Sequence, residues 1–312
     1  MSDAGFSHLH PEVRPLAMLD DESRIARIRA ERWIAHAAAT GILNSLQEVF
    51  AQPRSERMEN VLLIAESGMG KTSLIRKFER HNADSCHPHA EVTPHPVVAM
   101  LMPEEPNEDA FFVQLLRAVA APFELSSRRH RLALRETTFR VLRELETRVL
   151  VIDEINSLLV GTARQQRLFL QLLRFLSNEL RIALVCAGVP EARHALLSDP
   201  QLRSRFSDLE LPLWKATPEL QTFVNLLVQG LPLRHPSPVD SVRLRRLVAE
   251  RSRGITLVIC RALERAGVAA IRSGQERIDA ALLEDRDIWR GMWAGPMRTA
   301  RQRSVALLPD PA

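Results

Sequence analysis

The chain has 312 residues, 46% of them hydrophobic and 26% charged, with a net charge of only +4. These are the proportions of a globular protein with a sizeable core, one large domain or a core plus a lid. No apolar run reaches transmembrane length, and Cys86, Cys186 and Cys260 are too scattered for a disulfide framework or a zinc site.

Residues 1–20 are polar and punctuated by proline, and read as an arm that is either ordered on contact or flexible. The opening MSDAGFSHLHPEV lacks the basic flank and apolar core of a signal peptide, so a cytoplasmic protein without membrane contact is expected. Residues 21–56 read as an N-terminal helical segment. Asp20 or Asp21 is its cap, a break is expected near Thr40-Gly41, and Trp33, Ile34, Ile42, Leu43 and Leu46 form its apolar stripe.

From 57 to 215, short apolar runs alternate with amphipathic stretches. VLLIA (61–65), VVAMLM (97–102), RVLVIDEI (148–155), IALVCAG (182–188) and LELPLW (209–214) read as five strands. Helices are expected over 71–81, over about 108–121 with Asn107 as cap, and over 162–180. The last of these sets Leu168, Leu172, Phe175, Leu176 and Leu180 on one face. Such alternation predicts an α/β fold, a parallel sheet with helices on both sides. Cys86-His87-x-His89, near His81 and His95, has no second ligand pair at a recognised spacing and is assigned no metal. Past Trp214 the strand signal fades. Residues 217–231, 240–252 and 255–273 read as helices, giving a small helical lid over 216–288, and 289–312 is a basic tail that ends proline-rich.

The stretch LLIAESGMGKTSLIRKF carries the chemistry. A phosphate-binding loop has the pattern G-x-x-x-x-G-K-[ST] between a buried strand and a helix. Here Ala65 replaces the first glycine at the strand end, where a small residue suffices, and the loop is Ala65, Glu66, Ser67, Gly68, Met69, Gly70, Lys71, Thr72 and Ser73. Glycines let backbone amides approach phosphates, and the helix N-terminus adds positive partial charge. Lys71 is the candidate for the β/γ-phosphates and Thr72 for Mg²⁺. The run VLVIDEI ends in Asp153 and Glu154 at a strand's carboxyl end, where the first can hold the magnesium shell and the second can polarise water. The expected ligands are therefore ATP and Mg²⁺, and the expected activity is ATP hydrolysis.

SDPQLRSRF (198–206) sets Arg203 and Arg205 before the fifth strand. In oligomeric ATPases such an arginine reaches a neighbour's γ-phosphate. Arg205 is the candidate here, against a surface pairing with Asp199 or Asp208. Core, finger and lid together resemble an AAA+ module, a P-loop core plus a small C-terminal helical domain with nucleotide held between subunits.

Within that class the chain resembles the TniB family of transposition ATPases, related to TnsC and more distantly to MuB. The resemblance runs over about 20–275, through IRAERWI (28–34), RMENVLLIAESGMGKTSLIRKF (57–78), LVIDEINSLLVGTARQQRLFLQLLRFLSNELRIALVCAG (150–188), DPQLRSRF (199–206) and AAIRSGQERI (269–278). It implies an ATP-dependent regulator that assembles as a homo-oligomer on double-stranded target DNA. It also implies a DDE transposase as partner, together with a target-selection protein. Lys71, Thr72, Asp153 and Glu154 match the family's Walker residues, and Arg205 its finger. Val189 stands where such proteins often place a polar sensor, Asn156 where many relatives have His, and Arg261 is the one candidate sensor arginine in the lid. These departures bear on hydrolysis rate and sensing, and imply slow, partner- or DNA-stimulated turnover.

Only Lys71, Lys77 and Lys215 of the 42 basic residues are lysines, so the positive charge is almost wholly arginine, suited to bidentate phosphate contacts. Candidates for sequence-independent DNA contact are Arg164, Arg167 and Arg174 on the long helix and Arg128, Arg129 and Arg131 in the loop SSRRHR. With 5% aromatics and no tyrosine there is no stacking platform. Two other readings share the nucleotide site: an initiator or helicase loader, and a nucleotide-dependent scaffold that never touches DNA.

Overall fold

Strand-forming runs rich in valine, isoleucine and leucine become buried strands because helices cover both sides of the sheet. In the computed structural model, which describes residues 6–83, 93–121, 130–198 and 200–292, the chain opens with helices α1 (Asp21–Arg29) and α2 (Ala37–Ala51). The α/β core follows as β1 (Asn60–Ile64), α3 (Lys71–Ala83), β2 (Val97–Leu101), α4 (Glu108–Ala118), α5 (His130–Glu144), β3 (Val149–Asp153), α6 (Ala163–Leu180), β4 (Ala183–Gly188), α7 (Pro190–Leu196), α8 (Pro200–Arg203) and β5 (Phe206–Glu210). The helical domain comprises α9 (Pro218–Gln229), α10 (Val242–Ser252), α11 (Thr256–Arg272), α12 (Ala280–Glu284) and α13 (Arg286–Trp289).

The sheet order is β2-β3-β4-β1-β5, and every neighbouring pair is parallel. Alternate residues serve opposite layers. Leu62 and Ile64 pack with α4, α5 and α6, whereas Val61 and Leu63 pack with α2 and α3. The carboxyl ends of β1 and β3 therefore share one edge, separated only by β4. Parallel sheets hold their ligands at that edge. Among the described residues no helix is long and apolar enough to cross a membrane.

Several expectations are corrected. The N-terminal segment breaks at 30–36 and not at Thr40-Gly41, which lie inside α2. The cause is tertiary: Ile25 and Ile28 of α1 join the helical-domain core, while Ile42 and Leu46 of α2 join the sheet. His36 then caps α2, its ring nitrogen accepting from Ala39 N at 3.4 Å. The fifth strand is Phe206–Glu210 and not 209–214. Pro212 has no N–H for a ladder, and Trp214 N instead donates to Gly254 O at 2.9 Å, tying the core to the lid. On α6 the buried face is Phe169, Leu170, Leu172, Leu173, Leu176 and Leu180, with Leu168 and Phe175 left exposed. Part of SSRRHR, expected as a loop, begins helix α5, whose Leu134, Phe139 and Leu142 enter the core.

Residues 6–19 are tied to the helical domain instead of hanging free. His10 N donates to Gln229 O at 3.0 Å, Arg234 Nε to Ala17 O at 3.3 Å, and Leu9, Val13 and Ala17 form a small apolar cluster. At the other end Ile288 and Trp289 are buried in the helical-domain core, so the presumed tail begins later than 289. A buried ion pair fixes α1 in place. Arg24 donates to both carboxylate oxygens of Glu276 at 2.7 Å each, to Pro232 O at 3.1 Å and to Asp21 at 2.7 Å.

Candidate nucleotide site

Every element of the site converges at the carboxyl edge. Ala65 continues β1, its N–H donating to Gly188 O at 3.1 Å, and a turn from Glu66 to Met69 leads into α3. Gly68 and Gly70 take φ of 79° and 98°, in the region that L side chains avoid. A methyl group on Gly68 would lie 3.0 Å from Ile255 and 3.3 Å from Leu257, so the loop's close approach to the lid requires glycine here.

Lys71, 6% exposed, donates through Nζ to Ala65 O at 2.8 Å and Glu66 O at 3.3 Å. Burial lowers its pKa, against the opposing fields of Glu154, Asp153 and Glu66. The Thr72 hydroxyl donates to Asp153 Oδ2 at 2.7 Å, which joins the two motifs 81 positions apart. Asp153 Oδ1 accepts from Glu154 N at 2.9 Å, and Glu154 sits in the left-handed region at φ 56°, turning its half-buried side chain out of the strand line. A non-glycine residue held there is a strained conformation of the kind found at functional sites. A hydroxyl beside a carboxylate on a parallel-sheet edge is an all-oxygen donor set that fits a hard divalent cation.

The cleft over this edge measures about 370 Å³. Its floor is the loop from Ser67 to Leu74 with Glu154, and its walls are residues that sequence reasoning did not assign to it. One wall is the linker between α1 and α2, with Arg32, Ile34 and His36, and the other is the lid, with Phe223, Leu257 and Glu264. The lid helix α11 is bonded directly to the phosphate-loop candidate. Leu257 N donates to Gly68 O at 2.9 Å, and the Trp214 indole donates to Thr256 Oγ1 at 2.9 Å. Trp214 stacks on Phe223 at 4.5 Å, with His36 at 4.9 Å from Trp214. Burial lowers the His36 pKa and so favours the neutral ring. Arg32 donates to Gly230 O at 2.7 Å and stands 3.9 Å from Glu264, whose pKa burial raises. The IRAERWI run was the available signal for this wall.

The other candidates are spread out. Arg205 O accepts from Asn60 N at 2.8 Å, so Arg205 sits at the amino edge of the sheet. It is about 17 Å from its own phosphate loop, at roughly 3.3 Å per strand residue. It is half-buried and donates to Asn178 Oδ1 at 2.5 Å, while Arg203 is exposed and donates to Leu197 O at 2.9 Å. Asp208 pairs with Arg193 and not with either of them. Val189 precedes α7 without a side-chain cap, and the buried Asn156 Oδ1 beside Gly188 has no hydrogen-bond partner among the described residues. Arg164 and Arg167 are exposed at the start of α6, whereas Arg174 is half-buried and bonded to Gln201. Arg131 lies in α5, and Arg128, Arg129, Asp199, Cys86, His87 and His89 fall outside the described residues.

A family model described as the bacterial TniB protein matches residues 24–216, more than half of the chain. The chain belongs to the TniB family. No curated protein matches it by sequence. Among solved structures it is similar to the ORC2 protein of Aeropyrum pernix in its ADPNP–ADP complexes, with a TM-score of 0.63 at 17% identity over 91% of this chain and 74% of that one. Cdc6p of Pyrobaculum aerophilum gives 0.55 at 18% identity, covering 83% and 68% of the two chains. The A. pernix ORC1 protein in complex with DNA gives 0.54 at 20% identity, covering 83% and 67%. The fold of this TniB-family chain is therefore that of the AAA+ P-loop ATPases.

Proposed function

We propose that this TniB-family protein is an ATP-dependent DNA-binding regulator of transposition. In this reading it assembles on double-stranded target DNA and recruits or activates a DDE transposase. The observation that carries the reading is the Thr72–Asp153 hydrogen bond beneath a lid-covered cleft, in a chain of this family. ATP is the ligand that this phosphate loop and cleft suit. Thr72 and Asp153 would hold Mg²⁺, which when bound neutralises developing phosphate charge. Lys71 adds positive charge at the phosphates, and Glu154 orients and deprotonates the attacking water.

Arg205 lies too far from its own site to act there, so its role is toward a neighbouring copy. This supports an active site completed by assembly, in which such an arginine contributes about 10³–10⁵ in rate. Duplex contact is by arginine to the phosphate backbone, with Arg164 and Arg167 exposed for it.

The test is binding to non-specific duplex with no nucleotide, with ADP and with a non-hydrolysable ATP analogue at two salt concentrations, beside Lys71→Ala and Arg205→Ala. The reading expects binding that needs the analogue, weakens with salt and fails in both variants. Stimulation of ATPase activity by a transposase then addresses the partner. No binding under any nucleotide overturns the DNA-assembly reading.

A further inference from the structure

Helix α11 carries Arg261, Arg265 and Arg272 at spacings of four and seven residues. At 100° per residue these fall within one narrow stripe, about 16 Å long at 1.5 Å per residue. Arg29, the last residue of α1, adds a fourth guanidinium, because α1 packs along α11. With Val268, Ala269 and Ser273 they line an open cleft of about 880 Å³ in which Glu264 is the one acidic residue among those described.

What sets these arginines apart is their convergence on one concave surface, since other arginines of the chain, such as Arg164 and Arg246, are also without an ion pair among the described residues. Arg265 is anchored by Nη1 to Ile288 O at 3.3 Å and Arg290 O at 2.6 Å. Arg29, Arg261 and Arg272 have no ion pair or side-chain hydrogen bond among the described residues, whereas Arg24, Arg143, Arg193 and Arg243 each pair with a carboxylate. Arg261 and Arg265 form a like-charge i,i+4 pair, which costs a helix a few tenths of a kcal/mol, and Glu264, on which Arg261 acts electrostatically, is the only acidic group of the cleft among the described residues to offset four guanidinium charges. The cleft has no aromatic or long aliphatic side chain to anchor a protein partner. A concave row of four guanidinium groups against one carboxylate, without an apolar anchor, suits a sequence-independent polyanion.

We infer that this cleft on the helical domain is a second duplex-DNA site, which takes consecutive phosphates of one backbone. It is separate from Arg164 and Arg167 on α6, and Arg261, expected from sequence as a nucleotide sensor, lines this cleft and not the nucleotide cleft. The inference rests on the DNA-binding reading above and adds a surface to it.

The test measures the salt dependence of duplex binding by the full chain with the ATP analogue. It compares wild type with the triple variant Arg29→Gln, Arg261→Gln, Arg272→Gln, leaving the anchored Arg265 in place. A second triple variant, Arg76→Gln, Arg140→Gln, Arg243→Gln, controls for lost net charge, and circular dichroism confirms folding. Each phosphate contact contributes about 0.9 to the slope of log K against log salt, so the site variant should lose about 2.7 and the control almost nothing. Wild-type binding with an unchanged slope in the site variant overturns the inference and leaves the DNA-binding reading standing. Equal losses in both variants also overturn it, since bulk charge then explains the effect. Absence of wild-type binding overturns both. Loss of labelled poly-glutamate binding in the site variant, with DNA binding intact, reassigns the cleft to an acidic protein and overturns the inference.

Discussion

Arg24→Ala is the most informative single substitution for the architecture, because it removes the clamp that holds α1 on the helical domain. The guanidinium is fully buried and satisfies Glu276, Asp21 and Pro232 O. Without it the Glu276 carboxylate, 9% exposed, keeps only Arg234 at 3.7 Å as a cationic partner. Breaking a buried pair from one side costs about 3–5 kcal/mol, most of it from the charge left behind. The loss falls locally on the α1–α11 contact that buries Ile25 and Ile28. Hydrogen exchange of the α1 and α11 amides, with urea denaturation followed by tryptophan fluorescence, should therefore show protection lowered by that amount while the sheet amides keep theirs. Arg24→Met combined with Glu276→Leu should recover part of the loss, since it removes the unpaired carboxylate but leaves Pro232 O and the Arg234 amide without these partners. A loss below about 1 kcal/mol for Arg24→Ala would refute the clamp.

The same pair sets an acid limit. Burial acts to raise the Glu276 pKa, but hydrogen bonds from Arg24 and from the Arg234 amide outweigh it and hold the group below its ordinary value. Its contribution is therefore complete above the unfolded pKa of about 4.3 and is lost as pH falls through the lower native value, a dependence that Glu276→Gln should flatten in a melting series. Gly254→Ala should destabilise the protein by more than about 2 kcal/mol, measured by denaturant titration. Its φ is +73° and the new methyl would lie 2.4 Å from Trp214 O, which is backbone and cannot rotate away. Gly68→Ala should cost about 1–2 kcal/mol in strain and weaken binding of a fluorescent ATP analogue roughly 5–30-fold, and an unchanged Kd would show that the loop does not bind phosphate. Cys186 should resist a thiol reagent at pH 8 in the native state, because full burial in β4 closes access to it and pushes its pKa up to about 12, and rapid labelling of Cys186 would contradict the packing around it.

What was legible in the sequence was what short segments decide for themselves. Four of the five strand runs and the cap at Asn107 depend on neighbours within a few residues, and the structure has each of them. The Thr72–Asp153 bond was legible for another reason: each motif fixes its own strand end, and a parallel sheet brings those ends to one edge whatever lies between them. The break at 30–36 was not legible, because residues 21–51 carry helical periodicity throughout. Only the existence of two separate cores decides that Ile28 and Ile42 part company. The cleft walls follow from the same event. Once the linker crosses from one core to the other, Arg32 and His36 face the phosphate-loop candidate, and the lid brings Phe223 and Glu264 opposite them. Periodicity carries no record of that meeting. The misplaced break and the unforeseen half of the cleft are therefore one omission: a helix interrupted where two cores compete for its ends leaves an extended segment, and here that segment lines the site.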